Sequence, residues 1–405
     1  MRARLLLAIA SLAVALVACE LALRWIFVAP LQLGAPSPLG LRVAGGDVRV
    51  HQREYDTRHR YNRFAFRDDD LGPPAGDEAR VLVLGDSFAE GLGVDVGARF
   101  SSLLADRLGS LWPGRRVRVV NAGQIGTAPA DYLENLADFG VALHPAVVVV
   151  TVYAGNDFFR GAALARWHPS VRETLPADAA PPSWLFGYVR RAGALVAGDR
   201  TALVRRLRGV DLWPLVFGGP IDEGRYRTLL GGLGVTDAEI QAATRAMDPA
   251  LLADFHAGLV NPATLVEAIG ERVTAARGER PSKMMTARYA DVRGLARGFL
   301  RARDLLATHD ARLVVLVVPD VHDVMPAAHT AFLRRLAVSP SLRMRIAARL
   351  GRKLLAVLER KGVSVADPHA GLAGASEPTY HVMDGHLNAA GHRIVADVVA
   401  RALGA

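Results

Sequence analysis

The sequence predicts an α/β protein: a parallel sheet covered by helices on both faces, interrupted by a long, mostly helical insertion. Three observations predict it. Apolar, β-favouring runs at 81–84, 146–153 and 312–319, with a shorter one at 117–121, lack the polar alternation of a half-buried strand and read as strands buried on both faces. Segments of helical spacing at 99–108, 130–140, 289–309 and 331–360 lie among them, in the rhythm of parallel crossovers. Three of the runs end in small polar turns, Gly85-Asp86-Ser87, Asn121-Ala122-Gly123 and Gly155-Asn156-Asp157, on the rim where open α/β sheets place reactive groups.

Residues 1–29 begin with Arg2 and Arg4, run uncharged and apolar over 5–19, and continue as an apolar helix pattern past Glu20 and Arg24. The leading expectation is a signal anchor, a transmembrane helix whose positive flank keeps the amino terminus in the cytoplasm and exports the rest. The uncharged run is short of the ~20 residues a span needs, and is extended if Glu20 and Arg24 lie at the interface. Two alternatives stand beside it: cleavage at a site such as Ala13-Val14-Ala15, and a lipoprotein anchored at Cys19, since Leu16-Val17-Ala18-Cys19 resembles a lipobox. All three place the body outside the cytoplasm.

Residues 30–79 are rich in Pro, Gly, Arg and Asp and read as a linker and strap. Within them, Tyr61 to Asp68 mixes aromatic and charged residues; it packs over the domain edge, or else Asn62 or Arg67 lines the mouth of a site. Residues 80–157 hold the first half of the α/β domain, 158–288 the insertion and 289–405 the second half. Helical stretches are expected at 184–208 and 237–269, and the apolar segment 212–217 is read as core of the insertion. A connection this long inside an α/β domain forms a lid or subdomain. The last strand falls at 363–367 and a final helix ends the chain.

Composition narrows the function. With 405 residues, 51% of them hydrophobic, a large core is within reach. The net charge of +9 is spread arginine without a basic block, and no helix-turn-helix, zinc spacing or RNA-binding motif occurs, so nucleic acid is not an expected partner. One cysteine excludes an internal disulfide and a thiolate metal site. No metal or cofactor is expected.

The three strand-end turns and one late loop, Asp384-Gly385-His386, carry complementary chemistry. Ser87 is the candidate nucleophile, reactive once a base takes its proton, and His386 is the candidate base. Asp384 is the candidate acid that orients His386 and stabilises its cation; the alternative is a backbone carbonyl in that role, with Asp384 structural. The amides of Ser87 and Gly123 and the side chain of Asn156 are candidate oxyanion donors. Asp86 and Asp157 read as turn-holding residues, Asn388 as a helix N-cap, and His381 and His392 as bystanders.

Those residues resemble the SGNH (GDSL-type) hydrolases, whose hallmarks are a serine in Gly-Asp-Ser, a glycine, an asparagine in Gly-x-Asn-Asp and a late histidine. Here these fall on Ser87, Gly123, Asn156 and His386, in the family's order, with the likeness covering 80–157 and 313–403. The resemblance implies a flavodoxin-like α/β/α sandwich and a serine esterase or acyltransferase. It extends to a membrane-anchored bacterial subgroup with a single-pass helix, a periplasmic body, an aromatic-Arg-Asp strap and a long insertion. One departure is the spacing Asp-x-His, where many members have Asp-x-x-His; the short form resembles that of polysaccharide O-acetylation proteins and implies acylated carbohydrate as substrate. The expected function is ester hydrolysis on an acylated small molecule or glycan. O-acetyl transfer to an envelope polysaccharide and a non-catalytic binding protein are the alternatives.

Overall fold

A computed structural model describes residues 2–26, 47–171, 223–278 and 289–404, except 63, 65, 72–75, 159, 160, 170, 233 and 341. The chain enters through helix α1 (Arg2–Ile26), then a hairpin of β1 (Asp47–Gln52) and β2 (Tyr55–Arg60). Next come β3 (Glu78–Leu84), the one-turn helix α2 (Ser87–Glu90), α3 (Phe100–Leu111), β4 (Arg116–Asn121), α4 (Pro129–Asn135) and β5 (Val147–Tyr153). The insertion contributes α5 (Glu223–Gly232), α6 (Asp237–Arg245), α7 (Pro249–His256) and α8 (Pro262–Ala276). The second half follows: α9 (Tyr289–Ala307), β6 (Arg312–Val318), α10 (Val321–Val324), α11 (Pro326–Arg335), α12 (Leu342–Glu359), β7 (Ser364–Ala366), α13 (His369–Ala373) and α14 (Ala389–Gly404).

Five strands form one parallel sheet in the order β4-β3-β5-β6-β7. Side chains alternate between faces along a strand. Val81, Val83, Val147, Val149, Val314 and Leu316 therefore meet α3 and α14 through Phe100, Leu104, Val395 and Val399. Their neighbours Leu82, Leu84, Val148, Val150, Val315 and Val317 meet Leu133, Phe139, Phe299 and Leu354 on the other face. Both faces are filled, which is why these strands carry no polar alternation. The order reverses at β3, between β4 and β5; that switch point is where a doubly wound sheet opens a crevice at its carboxyl ends.

The insertion helices are capped as their sequences demand. Thr236 accepts from the Glu239 N–H while Glu239 bonds back to the Thr236 N–H, and Asp248 and Asn261 cap helices that begin Pro249 and Pro262. Their apolar faces share a core of Tyr226, Leu230, Ile240, Leu251, Phe255, Leu265 and Ile269 that closes on Phe332 of α11 and on Leu336, which caps that helix. Val382 and Met383 edge the same cluster. The expected helix at 184–208 and the segment 212–217 lie outside the described residues.

Three expectations need correction. Residues 47–60 are a hairpin rather than linker, with Tyr55, Thr57 and His59 inward and Asp56, Arg58 and Arg60 outward. Asn62 and Arg67 do not line a site mouth. Arg67 is fully buried and donates to the carbonyls of Gly91 (2.6 Å) and Val94 (2.8 Å), strapping down the chain after α2, while Asn62 holds the Phe64 and Phe66 amides. Within the expected anchor, residues Arg2–Ile26 form a helix, yet among the described residues no helix is long and apolar enough to cross a membrane.

Candidate active site

β3 ends at Leu84, and Ser87 sits two residues beyond Gly85, as the first residue of α2. Asp86 caps that helix, its carboxylate accepting the Phe88 N–H at 3.0 Å. α2 is too short to be stable alone. Tertiary bonds hold it: Asn121 donates to the Ala89 carbonyl at 2.7 Å, and Glu90, wholly buried, accepts from the Tyr61 hydroxyl at 2.8 Å and the Ile125 N–H at 2.9 Å.

The histidine arrives on a loop closed upon itself. The His381 N–H donates to the His386 carbonyl at 2.8 Å, the Gly385 N–H returns to the His381 carbonyl at 2.7 Å, and Tyr380 pairs with Leu387. Gly385 has φ +82°, a conformation that favours glycine, and this sharp reversal lets an Asp-x-His spacing bring both side chains together. Ser87 Oγ lies 2.7 Å from His386 Nε2, and His386 Nδ1 lies 2.6 Å from Asp384 Oδ2. The Phe88 ring lies 4.6 Å from the imidazole and stacks on Tyr153 at 3.9 Å. The Asp384 side chain is 1% exposed, whereas that of His386 is 14% exposed.

Burial opposes charge on both members of this pair, and their mutual attraction outweighs it. Burial alone would lower His386; the charge and hydrogen bond of Asp384, with the Asp86 charge, raise it above the ordinary histidine value. Asp384 is held below its ordinary value for the same reason. Burial raises the Asp86 carboxyl to about 6, against the opposing pull of the Phe88 N–H, His386 and Asn156. Burial and the Asp86 charge push Asp157 up as well; it accepts the Tyr132 hydroxyl at 3.0 Å and the Tyr153 N–H at 2.8 Å. These two acids hold turns and face no solvent.

Gly123 packs so closely on α2 that a Cβ there would lie 2.4 Å from the Glu90 nitrogen and 2.7 Å from the Ala89 carbonyl carbon. Close approach requires this glycine; its φ is not positive, contrary to the usual reason for a turn glycine. Its N–H donates to Asn121 Oδ1 at 2.9 Å. Asn156, at the end of β5, is exposed with its side chain against Asp86. His392 is buried, accepts the Phe100 N–H at 3.2 Å and is pushed down to about 3 by burial, so it stays neutral. His381 bonds the Gly93 carbonyl at 3.1 Å, and Asn388 accepts the Gly391 N–H at 3.1 Å as an N-cap. Among the described residues, no group of three His, Cys, Asp or Glu side chains is placed to hold a metal ion.

Two contributors were not read from the sequence. Glu54, in the hairpin turn, accepts the N–H groups of Val382 (2.7 Å), Met383 (2.8 Å) and Asp384 (3.1 Å). Asn261, the cap of α8, reaches Asp384 Oδ1 at 3.4 Å. Asn261-Pro262 carries a helix-start signal, but nothing in it points to an acid 123 residues later in the chain.

A serine, an imidazole and a buried carboxylate in file on the rim of a parallel sheet define the class of α/β serine hydrolases. No protein-family model matches the chain. Over 140 residues, 31% of this chain and 68% of the relative, it is 32% identical to the esterase TesA of Pseudomonas aeruginosa. Among solved structures it is similar to TesA at 15% identity and TM-score 0.35, covering 80% of this chain and 98% of that one. It is also similar to Axe2, an acetylxylan esterase from Geobacillus stearothermophilus, at 10% identity and TM-score 0.39, covering 83% and 97%. The sequence relative shows that the chain belongs to the SGNH (GDSL-type) hydrolases, enzymes acting on ester bonds.

Proposed function

We propose that the protein is a serine esterase that cleaves acyl esters of carbohydrates through an acyl-enzyme on Ser87. The observation that carries the mechanism is the file Ser87 Oγ, His386 Nε2 at 2.7 Å, and His386 Nδ1 with Asp384 Oδ2 at 2.6 Å. His386 takes the Ser87 proton as Oγ attacks the ester carbonyl, and returns it to the leaving alcohol as the tetrahedral intermediate collapses. Asp384 keeps the imidazole in the tautomer that leaves Nε2 free to accept, and stabilises the cation. The oxyanion is held by the Ser87 N–H, the Asn156 amide and the Gly123 N–H, which it shares with Asn121 Oδ1. Water then attacks the acyl-enzyme with His386 again as base.

Carbohydrate as substrate is supported by the Asp384-Gly385-His386 spacing, which resembles that of polysaccharide O-acetylation proteins. The same spacing supports transfer of the acyl group to a sugar hydroxyl as the second reading. Attachment to a bacterial membrane through α1, with the body in the periplasm, is supported by Arg2 and Arg4 at its start and by exposed Leu12, Val14, Leu16, Val17 and Leu21.

Fluorophosphonate labelling of the protein tests the nucleophile: Ser87→Ala abolishes it, and labelling that persists ends the proposal. Acetate release from an acetylated oligosaccharide, with and without an acceptor glycan, separates hydrolysis from transfer. The mass of the amino terminus recovered from membranes tests the attachment; a chain absent from that fraction refutes it.

A further inference from the structure

We infer that Glu54 positions the catalytic loop, acting with the insertion as a clamp that aims Asp384 at His386. This rests on the proposed roles of those two residues. Three successive backbone N–H groups, of Val382, Met383 and Asp384, converge on the one carboxylate of Glu54 at 2.7, 2.8 and 3.1 Å. Successive amides aimed at one point form an anion-binding nest, and here the anion is a side chain from 328 to 330 residues earlier in the chain.

The loop's own bonds, between His381 and His386 and between Gly385 and His381, tie its ends together. They leave the backbone of Asp384 to be fixed by something else. Glu54 holds that backbone at its nitrogen, while His386 and Asn261 hold the carboxylate.

The carboxylate is placed there against electrostatic cost. Burial, with the nearby Asp384 charge, raises the Glu54 pKa despite three amide bonds. The turn that carries Glu54 is itself anchored. Arg53 pairs through its guanidinium with Asp254 of α7, and its N–H donates to the Leu259 carbonyl at 2.7 Å. Leu259 and Asn261 belong to the same turn between α7 and α8, so hairpin and insertion grip the loop from adjoining points. Tyr55, beside Glu54, lies 4.9 Å from the His381 ring. Among the described residues, the titratable groups acting on this contact and on its His386 readout include Tyr55, His381, Asp384 and His386, with Asp86 acting on the imidazole through its charge.

The test compares Glu54→Ala, Glu54→Gln and Glu54→Asp with the unaltered protein in p-nitrophenyl acetate hydrolysis as a function of pH. A misplaced Asp384 lowers kcat about 10- to 100-fold with KM little changed. It also moves the acid limb of kcat/KM to lower pH, because His386 loses the charge that raises it. Gln supplies one acceptor oxygen in place of two and falls between Ala and the parent; Asp restores part of kcat. A merely structural role lowers the folded fraction and leaves the acid limb in place. Should the Ala variant fail to fold, Gln carries the test. A folded Ala or Gln variant with unchanged kcat and acid limb overturns the proposal. Ser87→Ala, run alongside, separates the two readings. Activity surviving Ser87→Ala refutes the catalytic assignment itself. Loss of activity with Ser87→Ala, and none with Glu54→Ala, refutes only the clamp.

Discussion

Replacing Gly123 by alanine tests the oxyanion site at its tightest point. The added Cβ would stand 2.4 Å from the Glu90 nitrogen, where ordinary contact begins at 3.4 Å. The colliding atoms are backbone and the Ala89 Cβ, none of which can swing aside, and the two segments must part by about 1 Å. One of those segments is α2, which carries Ser87. The other carries the Gly123 N–H, now bonded to Asn121 Oδ1 at 2.9 Å. Losing one oxyanion donor costs about 3 kcal/mol of transition-state stabilisation, or roughly 100-fold in kcat. Overpacking costs a further ~1–3 kcal/mol of stability. Initial rates on p-nitrophenyl acetate, with thermal melts on the same preparations, measure both. A folded Gly123→Ala protein within about threefold of the parent kcat/KM would refute the oxyanion role and the rigidity of this contact.

Other outcomes follow from the same geometry. Asn156 is exposed, so Asn156→Ala should lose roughly 100-fold in kcat with an unchanged melting temperature; a fall in melting temperature alone counts against a direct role. His386 must be neutral to accept the Ser87 proton, and its pKa is raised, so activity should rise with pH through a limb above the ordinary value of 6.5. Asp384→Asn should move that limb down and cut kcat, read from a pH–rate profile; an unmoved limb counts against the pairing. Asp86 offers a stability test. Its carboxyl is raised from 3.8 to about 6, so the folded form keeps a proton that the unfolded form loses. Stability therefore falls as pH rises between those values. Asn caps a helix as well as Asp, so Asp86→Asn should flatten this dependence in denaturant titrations at several pH values. An equal slope in both proteins would rule the buried charge out as its cause.

The parts of the site legible in sequence are those that sit beside their own structural signal. Ser87, Gly123 and Asn156 each follow directly on a strand whose apolar run ends in a small polar turn. The Asp384-Gly385-His386 group stands just before a terminal helix with an N-cap asparagine. Glu54 gives no such signal. Its hairpin turn, Arg53-Glu54, contains no glycine or asparagine, and the inward positions of β2 are Tyr55, Thr57 and His59, a sequence that reads as polar. Nor does Arg67 reveal its role: a buried guanidinium bound to backbone carbonyls looks, in sequence, like any surface arginine.

The sequence by itself determined the parallel sheet, the polar residues at its rim and the order in which the proposed nucleophile, oxyanion donors and base occur. Those follow from local rules, burial on two faces for the strands and small polar residues where strands end. Only the tertiary structure decided what fixes that chemistry in place. Glu54 on the 382–384 amides, Asn261 on Asp384, Arg67 under α2 and the bare Cα of Gly123 against Glu90 are contacts between segments far apart in the chain. Each depends on where two backbones meet, and no periodicity within either segment encodes that meeting.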